Sequence, residues 1–252
     1  MKNFIIFLML GLFASLQAQD NLEPYPYPDT EVPLKGFFAY DKLLKSKRGG
    51  VLIIPEESSP EKFIKETASQ LGTLGYMVFV PDLYAALPPA EEDDEEAQAA
   101  RSVKFKELIQ ESIRILAGQS RVDPNRMAAI GYGEGGRQVL ELARAGTDLK
   151  AVINYFGSLK PEVVDESRRI GTTILVLLGA DDPLITNDDI QLFEQEMNAA
   201  GADWQINLYG GAVNSFTYYE LGFDNASGRA YNYNADKRAF EAVNVLLHEK
   251  LK

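Results

Sequence analysis

The sequence predicts an α/β protein with a mostly parallel central sheet and helices on both faces. Short apolar runs that end at Pro or Gly recur along the chain, as buried strands of a parallel sheet do. Amphipathic helical patterns lie between these runs, and the alternation is typical of successive βα units. The chain has 252 residues and no internal repeat, so we expect one large domain with a full core.

The first predicted elements lie before residue 61. A proline-rich segment at residues 24–28 predicts an extended arm whose tyrosines pack on the body of the protein. Residues 36–40 and the apolar run 51–54 predict strands, the second of them covered on both faces. Ser59 and Pro60 are typical of an N-cap and a first helical residue, so a helix is predicted to begin there.

This helix is predicted to bury one face and to end at Gly75, before a buried strand at Met77–Val80. The side chains that share its apolar face are Phe63, Ile64, Thr67, Ala68 and Leu71. An acidic run at residues 91–96 then opens a long helix that extends to Leu116. Carboxylates are favoured at the positive end of a helix, and a cation site is the alternative interpretation of this run.

The second half of the chain continues the alternation. A turn is predicted at residues 123–125, and a strand, a glycine-rich turn and a helix follow over residues 127–144. The remaining predicted elements are strands at 151–153, 174–178 and 205–209, a helix from about Asp188 to Gly201, and a last helix at 236–250.

Residues 1–19 are predicted to be a secretory signal peptide, with an approximate cut, and residues 20–252 to be the domain. A short positive start precedes an apolar run that is short for a bilayer span, and Ala18 offers a small residue for cleavage. We expect export to the periplasm or the extracellular space, with no membrane contact beyond the signal. Leu16 is not small, so an uncleaved N-terminal anchor is the alternative.

The composition excludes several classes of partner. The net charge is −12 and no basic patch is present, so nucleic acid is not expected as a partner. The chain has no Cys and one His, which argues against a zinc site, and we expect no resident metal or other cofactor. A site of oxygen ligands for a hard cation remains open.

The most informative segment is Gly-Tyr-Gly-Glu-Gly-Gly at residues 131–136. A strand, a tight glycine-rich turn and a helix form the frame of a nucleophile elbow, whose centre carries a reactive side chain. Gly133 stands at that centre and has no side chain. Two later loops also follow strands, one with Asp182 and one with Asn214, in the order nucleophile, acid, base.

These segments resemble the dienelactone hydrolases of the α/β-hydrolase fold, over most of the chain from about Gly50. Residues 75–84 are similar to the family's G-Y-x-x-x-x-P-D-L-Y, and residues 122–136 to its V-D-P-x-R-x-x-x-x-G-[YF]-C-x-G-G. Residues 209–216 are similar to its Y-x-G-A-x-H-x-F, and residues 51–56 to its strand followed by His-Glu. The resemblance implies a single dienelactone-hydrolase-like domain with the α/β-hydrolase fold.

The resemblance also implies which functional positions are retained. Gly133 occupies the nucleophile position, where the family has Cys or Ser, and Asn214 occupies the position of its His. Asp182 matches the acid and is retained. Glu56 matches the family's glutamate near the nucleophile, although Pro55 stands where a His precedes it.

Two of the three triad members are therefore missing, and the chemistry follows from that loss. Acyl transfer needs an atom with a lone pair at the elbow and a group that takes its proton. Gly133 supplies no such atom, and the amide of Asn214 does not titrate in the usable range. His248 lies on the last predicted helix and is expected at the surface.

Glu134 follows the missing nucleophile at the start of the predicted helix, where the dipole favours a carboxylate. One interpretation is a helix charge that faces solvent. The other is that Glu134, Glu56 and Asp182 line one acidic pocket that binds a cation, an amine or a sugar. Gly133 itself suits a turn at positive φ, where a side chain would be strained.

Three functions remain open after the motifs are weighed. The pattern Gly131-x-Gly133-x-x-Gly136 fits a dinucleotide fingerprint, but no Asp or Glu ends the next strand to hold a ribose. A working ester or lactone hydrolase with displaced groups would use Ser215, Ser58 or Ser59. A protein that binds a small-molecule ligand or a partner in the former active-site pocket explains both losses at once, and this inactive relative is the function that the sequence favours.

Overall fold

The computed structural model describes residues 21–27, 35–88, 94–163, 165 and 168–252. The predicted signal peptide, Pro28 of the proline-rich arm and residues 91–93 of the acidic run lie outside these ranges. The strands are β1 (Leu22–Pro24), β2 (Phe37–Ala39), β3 (Arg48–Ile54), β4 (Met77–Val80), β5 (Val122–Tyr132), β6 (Ala151–Tyr155), β7 (Thr173–Gly179) and β8 (Trp204–Tyr209). The α-helices are α1 (Glu61–Thr73), α2 (Glu95–Ala117), α3 (Glu134–Arg144), α4 (Asn187–Ala200) and α5 (Tyr233–Leu251).

The strands form one sheet in the order β1-β2-β4-β3-β5-β6-β7-β8. The pairs β1–β2 and β2–β4 are antiparallel, and every pair from β4 to β8 is parallel. The predicted α/β class with a mostly parallel sheet is confirmed. Because β5 lies near the middle of the sheet, the turn at its carboxyl end is flanked by the ends of β3 and β6.

The core has two layers, one on each face of the sheet. Alternate residues of β3 show the division: Val51 and Ile53 pack with α1 and α5, and Leu52 and Ile54 pack with α2, α3 and α4. All four side chains are fully buried, as expected for a strand covered on both faces. The helices therefore lie on both faces of the sheet, as the sequence predicted.

The proline-rich arm packs on the body through its tyrosines, as expected. Tyr25 contacts the rings of Phe38 and Phe79, with centroids 5.7 and 5.3 Å away. The hydroxyl of Tyr27 accepts a hydrogen bond from the backbone N–H of Asp82 at 2.9 Å. Within the described ranges, no helix has the length and apolar character needed to cross a membrane.

Two local predictions were wrong. The N-cap residue of α1 is Pro60, whose side chain forms no capping hydrogen bond. Ser59 does not cap the helix because its hydroxyl accepts from Glu56 N at 3.0 Å and pairs with the Tyr218 hydroxyl at 2.8 Å. The residues of the turn predicted at 123–125 instead belong to β5, where they form an irregularity in its pairing with β3. Between the pairs Arg48–Val122 and Gly50–Met127, four residues of β5 lie opposite one residue of β3.

Candidate functional site

The turn between β5 and α3 has the geometry of a nucleophile elbow. Gly133 follows the strand directly, with φ 52° and ψ −115°, and is the N-cap of the helix. Its N–H donates to Tyr155 O at 2.9 Å, which ties the turn to the end of β6. A side chain is rarely tolerated at this φ, and glycine adopts it without strain.

The space above Gly133 is occupied by the carboxyl group of Glu56. A Cβ atom built on Gly133 would overlap Glu56 Oε2 and lie 2.8 Å from Glu56 Cδ. Glu56 reaches this place because it lies in the loop directly after β3, the neighbouring strand. The position where an elbow carries its reactive side chain therefore holds the carboxylate of another residue.

Arg229 fixes that carboxylate. Its Nη2 lies 2.9 Å from Glu56 Oε1 and also donates to Ser58 Oγ at 3.0 Å. Its Nε donates to Ser215 Oγ at 3.0 Å. An isolated β-bridge between Arg229 and Asn214 holds the two backbone segments together. The guanidinium thus joins the loop after β3 to the loop that follows β8.

A buried chain of hydrogen bonds continues from Ser215 to Asp182. Ser215 donates to Asn214 Oδ1 at 2.8 Å, and Asn214 Nδ2 donates to Asp182 Oδ2 at 2.9 Å. Asn214 Nδ2 also donates to Phe156 O at 3.2 Å. These hydrogen bonds run from the guanidinium of Arg229 to the carboxylate of Asp182, and every donor points towards the carboxylate. Hydrogen bonds aligned in this way polarise and strengthen one another.

Asp182 lies in a setting suited to orient a neighbour. It is only 5% exposed and also accepts from Leu184 N at 2.9 Å. Burial raises the pKa of Asp182 above its usual value, and the hydrogen bonds from Leu184 and Asn214 offset part of that rise. The side chain of residue 214 is thus hydrogen-bonded to Asp182, which is the contact that the base and the acid of a triad make. In this protein, residue 214 is an asparagine, so the contact comes from an amide.

A cavity of about 580 Å³ opens beside the elbow, and its charged lining is paired. Glu134 binds Arg137 through two hydrogen bonds of 2.5 and 2.9 Å, and Gln138 donates to the same carboxylate at 2.9 Å. Glu57 pairs with Arg101 at 3.3 Å. With Glu56 held by Arg229, each of the three carboxylates that line this cavity has a guanidinium partner.

The rest of the lining includes apolar and aromatic side chains. Tyr84, Leu87 and Phe105 contribute to the wall, and the rings of Tyr84 and Phe105 lie 5.3 Å apart. Burial, with smaller effects from Glu134 and Glu56, raises the pKa of Tyr84, so its hydroxyl stays protonated and donates to Pro55 O at 3.1 Å. The size of this cavity falls within the range of small-molecule sites.

The structure brings some of the predicted site residues together. Glu56 and Glu134 line the same cavity beside Gly133, whereas Asp182 is buried against Asn214 and does not line it. Glu134 is partly exposed to solvent at the start of α3, and it is also part of the cavity wall. The structure therefore agrees in part with both interpretations of this residue, a helix charge that faces solvent and a lining residue of a pocket. His248 is exposed on α5, as expected.

Three arginines of the site were missed. Arg137 could have been predicted, since it lies three residues after Glu134 on a predicted helix, a spacing that places the two side chains side by side. Arg101 and Arg229 carry no local signal, because their partners lie far away in the sequence. In the described ranges, no group of three or more His, Cys, Asp and Glu side chains is placed to hold a metal ion.

The parallel sheet, the elbow after β5 and the acid after β7 define a protein of the α/β-hydrolase fold. The dienelactone hydrolase family model matches residues 35–251, and the chain belongs to that family. The family assigned by resemblance is thereby confirmed.

Relatives of this family align along much of the chain. A carboxymethylenebutenolidase of a Pseudomonas species is 26% identical over 228 residues, which cover 86% of this chain and 90% of that protein. An uncharacterized protein of Caenorhabditis elegans is 30% identical over 156 residues, 59% of this chain and 96% of the relative. The solved structure of a dienelactone-hydrolase-like promiscuous phosphotriesterase from metagenomic libraries has a TM-score of 0.80 at 29% identity, covering 92% of this chain and 98% of that one.

Proposed function

We propose that this protein is an exported, non-hydrolytic member of the dienelactone hydrolase family that binds a small molecule in the cleft beside the elbow. One observation carries the proposal: the carboxylate of Glu56 fills the space above Gly133 and is held there by Arg229. A missing side chain could reflect a site that has simply lost a group. A neighbouring carboxylate locked into its place indicates a site arranged for a different use.

The position of the base supports the same conclusion. Both amide protons and the carbonyl of Asn214 are used in hydrogen bonds to Asp182, Phe156 and Ser215. An amide cannot take a proton from a nucleophile at neutral pH. Asn214 therefore acts as a fixed connector within the buried chain of hydrogen bonds.

A hydrolase with displaced groups is less well supported. Ser215 is completely buried, and its hydroxyl donates to Asn214 while it accepts from Arg229, so no base in the described part of the chain is placed to activate it. Ser58 is exposed beside the cavity, but its hydroxyl accepts from the guanidinium of Arg229. Among the residues that the structure describes, neither serine has the adjacent base that nucleophilic catalysis needs.

The paired charges favour a particular kind of ligand. Because Glu56, Glu57 and Glu134 each have an arginine partner, a bare cation would have to displace a guanidinium to bind. A neutral molecule with an apolar part against Tyr84 and Phe105 and a few polar groups would leave the pairs intact. We therefore favour neutral esters, lactones or sugars over free cations as ligands of this cleft.

Two measurements test the proposal. The first is turnover of p-nitrophenyl esters and of a dienelactone by the wild type and by the variants Ser58→Ala and Ser215→Ala. We expect rates equal to buffer for all three proteins. Saturable turnover that either substitution abolishes would instead establish the displaced hydrolase.

The second measurement asks whether the cleft binds ligand. A panel of neutral lactones, esters and sugars is titrated calorimetrically into the wild type and into Ser102→Trp, which places an indole in the cavity wall. Val103→Trp is the matched control, since Val103 is 57% exposed on the same helix and does not line the cavity. Binding should be lost in Ser102→Trp alone; equal binding by both variants would place the ligand elsewhere.

Export is a separate part of the proposal, supported by the N-terminal sequence pattern. Expression of the full chain followed by N-terminal sequencing of the protein tests it. A mature chain that begins between Gln19 and Asn21 is expected. A retained Met1 in the membrane fraction would establish the anchor instead.

A further inference from the structure

A second, smaller cavity lies between α1 and α5 and shares no lining residue with the cleft beside the elbow. Its volume is about 130 Å³, room for about four water molecules at the volume each has in the liquid. Tyr132 and Tyr155, at the carboxyl ends of β5 and β6, line it from the sheet. Thr67 of α1 and Asp236 of α5 line it from the helices.

One described polar group in this cavity lacks the partner that burial demands. Thr217 is 2% exposed, and its hydroxyl has no hydrogen-bond partner in the described part of the chain. Asp236 shares the cavity and is partly buried, with a side chain 16% exposed; its Oδ2 accepts from the Tyr231 hydroxyl at 3.1 Å and lies 3.3 Å from Lys237 Nζ. Since buried polar groups are nearly always hydrogen-bonded, the Thr217 hydroxyl indicates a binding partner from outside the chain.

The chemistry of the walls selects a cation that carries N–H donors. Asp236 and Glu66 supply two carboxylates against the single ammonium of Lys237 in the lining, so the net charge of the wall is negative and disfavours an anion. The rings that line the cavity are those of Phe63, Tyr132, Tyr155, Tyr219, Tyr231 and Phe240. Faces of such rings attract ammonium groups, and at the rim Lys62 Nζ already lies 5.3 Å from the Tyr219 centroid.

The charge balance agrees with this selection. Burial raises the pKa of Asp236, because its ionised form is poorly solvated there. Its partner Lys237 has a side chain that is 58% exposed, so the neutralising charge lies mainly in solvent. A cation inside the cavity would solvate the carboxylate from the other side.

We propose that this cavity binds a small primary ammonium group through Asp236 Oδ1, the hydroxyl of Thr217 and the surrounding aromatic rings. The two oxygens accept the N–H donors, and the rings enclose the short stem. A free amine and the end of a lysine side chain present the same group. Methylammonium chloride and Nα-acetyl-lysine amide serve as separate probes for these two sources.

Calorimetric titration of the full chain with both probes tests the proposal, with potassium chloride at equal ionic strength as the control salt. The wild type should bind methylammonium saturably and potassium should give no comparable signal. Asp236→Asn should weaken methylammonium binding on the order of tenfold or more, because a charge-assisted hydrogen bond is lost. Equal heats from both salts, or no saturable binding of either probe, would overturn the proposal.

Thr217→Val keeps the test informative if Asp236→Asn folds poorly. Valine has nearly the shape of threonine and removes a buried hydroxyl that has no partner among the described residues, so the variant without ligand should be as stable as the wild type or more stable. Its affinity for methylammonium should nevertheless fall several-fold. A less stable variant would mean that the hydroxyl already has a partner in the protein, and unchanged affinity would mean that it does not contact the ligand; either result contradicts the proposed site.

Discussion

Arg229 Nη2 lies 2.9 Å from Glu56 Oε1, and this ion pair stands directly over the turn between β5 and α3. The two residues are 173 positions apart in the sequence, and each comes from a loop at the carboxyl edge of the sheet. The pair is partly shielded, with Glu56 17% and Arg229 40% exposed. It occupies the space above Gly133 and joins two loops.

Gly133→Ala should lower the free energy of unfolding by about 2–4 kcal/mol. The residue must adopt a φ of 52°, and its Cβ would displace the Glu56 carboxylate from Arg229. Gly146→Ala is the matched control, since Gly146 has a φ of 71° with open space around a Cβ, and should cost about 1 kcal/mol. Urea denaturation measures both.

Gly133→Ala is expected to lower the free energy of unfolding more than Gly146→Ala does. This difference between the two substitutions should disappear when Glu56 is also replaced by alanine. In the Glu56→Ala background, the two glycine substitutions should have similar costs, because only the backbone strain remains. An undiminished difference would show that the carboxylate does not occupy the space above Gly133.

Arg229→Gln should destabilise the protein by about 1–2 kcal/mol, since Glu56, Ser58 and Ser215 all lose a donor. Arg114→Gln is the control: its side chain is 68% exposed and pairs only locally with Glu111, so its effect should stay within about 0.5 kcal/mol. Thermal and urea denaturation of both variants provide the comparison. Equal effects would mean that the pair over the elbow is energetically unimportant.

If the proposed function is correct, the elbow should gain hydrolytic activity when a nucleophile and a base are introduced. The variant Gly133→Ser with Asn214→His and Glu56→Ala would supply a nucleophile, a base and the space between them. Asp182 already contacts position 214 at 2.9 Å and should orient the histidine. We expect turnover of p-nitrophenyl acetate above that of the wild type.

The control for this variant is the addition of Asp182→Asn, which should reduce the restored rate by at least about tenfold, because the histidine loses the carboxylate that orients it. A restored rate that does not depend on Asp182 would mean that the three positions do not align as a triad.

The pH dependence of stability should carry the signature of Asp182. Burial raises its pKa in the folded protein above the ordinary value of 3.8, so the folded state holds the proton more tightly than the unfolded state. The contribution of Asp182 is therefore fully present below pH 3.8 and is lost as the pH rises through the folded pKa. The stability difference between wild type and Asp182→Asn should fall over that window in urea denaturation.

Asp203→Asn provides a contrast of opposite sign. Hydrogen bonds from Thr173 and Lys250 lower the pKa of Asp203, so its contribution is present above pH 3.8 and is lost as the pH falls through the folded pKa. The difference between wild type and Asp203→Asn should therefore rise with pH. Parallel curves for the two variants would contradict the assigned environments.

Much of the fold could be predicted because its elements depend on local pattern. The runs that became β3, β4 and β7 are continuously apolar, and α4 ends at Gly201 with φ 66°, where glycine is favoured. The elbow was predicted from the spacing of its glycines. Ser59 was misassigned because two uses of its hydroxyl compete, and only the loop contact to Tyr218 reveals which one prevails.

The site could be predicted only in part. The sequence predicts that Gly133 and Asn214 depart from the family's catalytic pattern, but it gives no indication that Arg229 would hold Glu56 above Gly133. The arginine lies in an irregular segment, without periodicity, and its partner follows a strand far earlier in the chain. The pair of Glu134 and Arg137 has a local signal, but the pairs Glu56–Arg229 and Glu57–Arg101 form only when distant segments come together in the fold.

The glycines of the elbow have a consequence for how such proteins are recognised. A Cβ on Gly135 would collide with the carbonyl of Ile54, and one on Gly131 with the backbone of residues 135 and 136. These positions must stay glycine for the helix to approach the sheet so closely, whatever the turn does chemically. The spacing of these glycines therefore reports how closely the helix approaches the sheet, and it carries no information about which atoms lie above the turn.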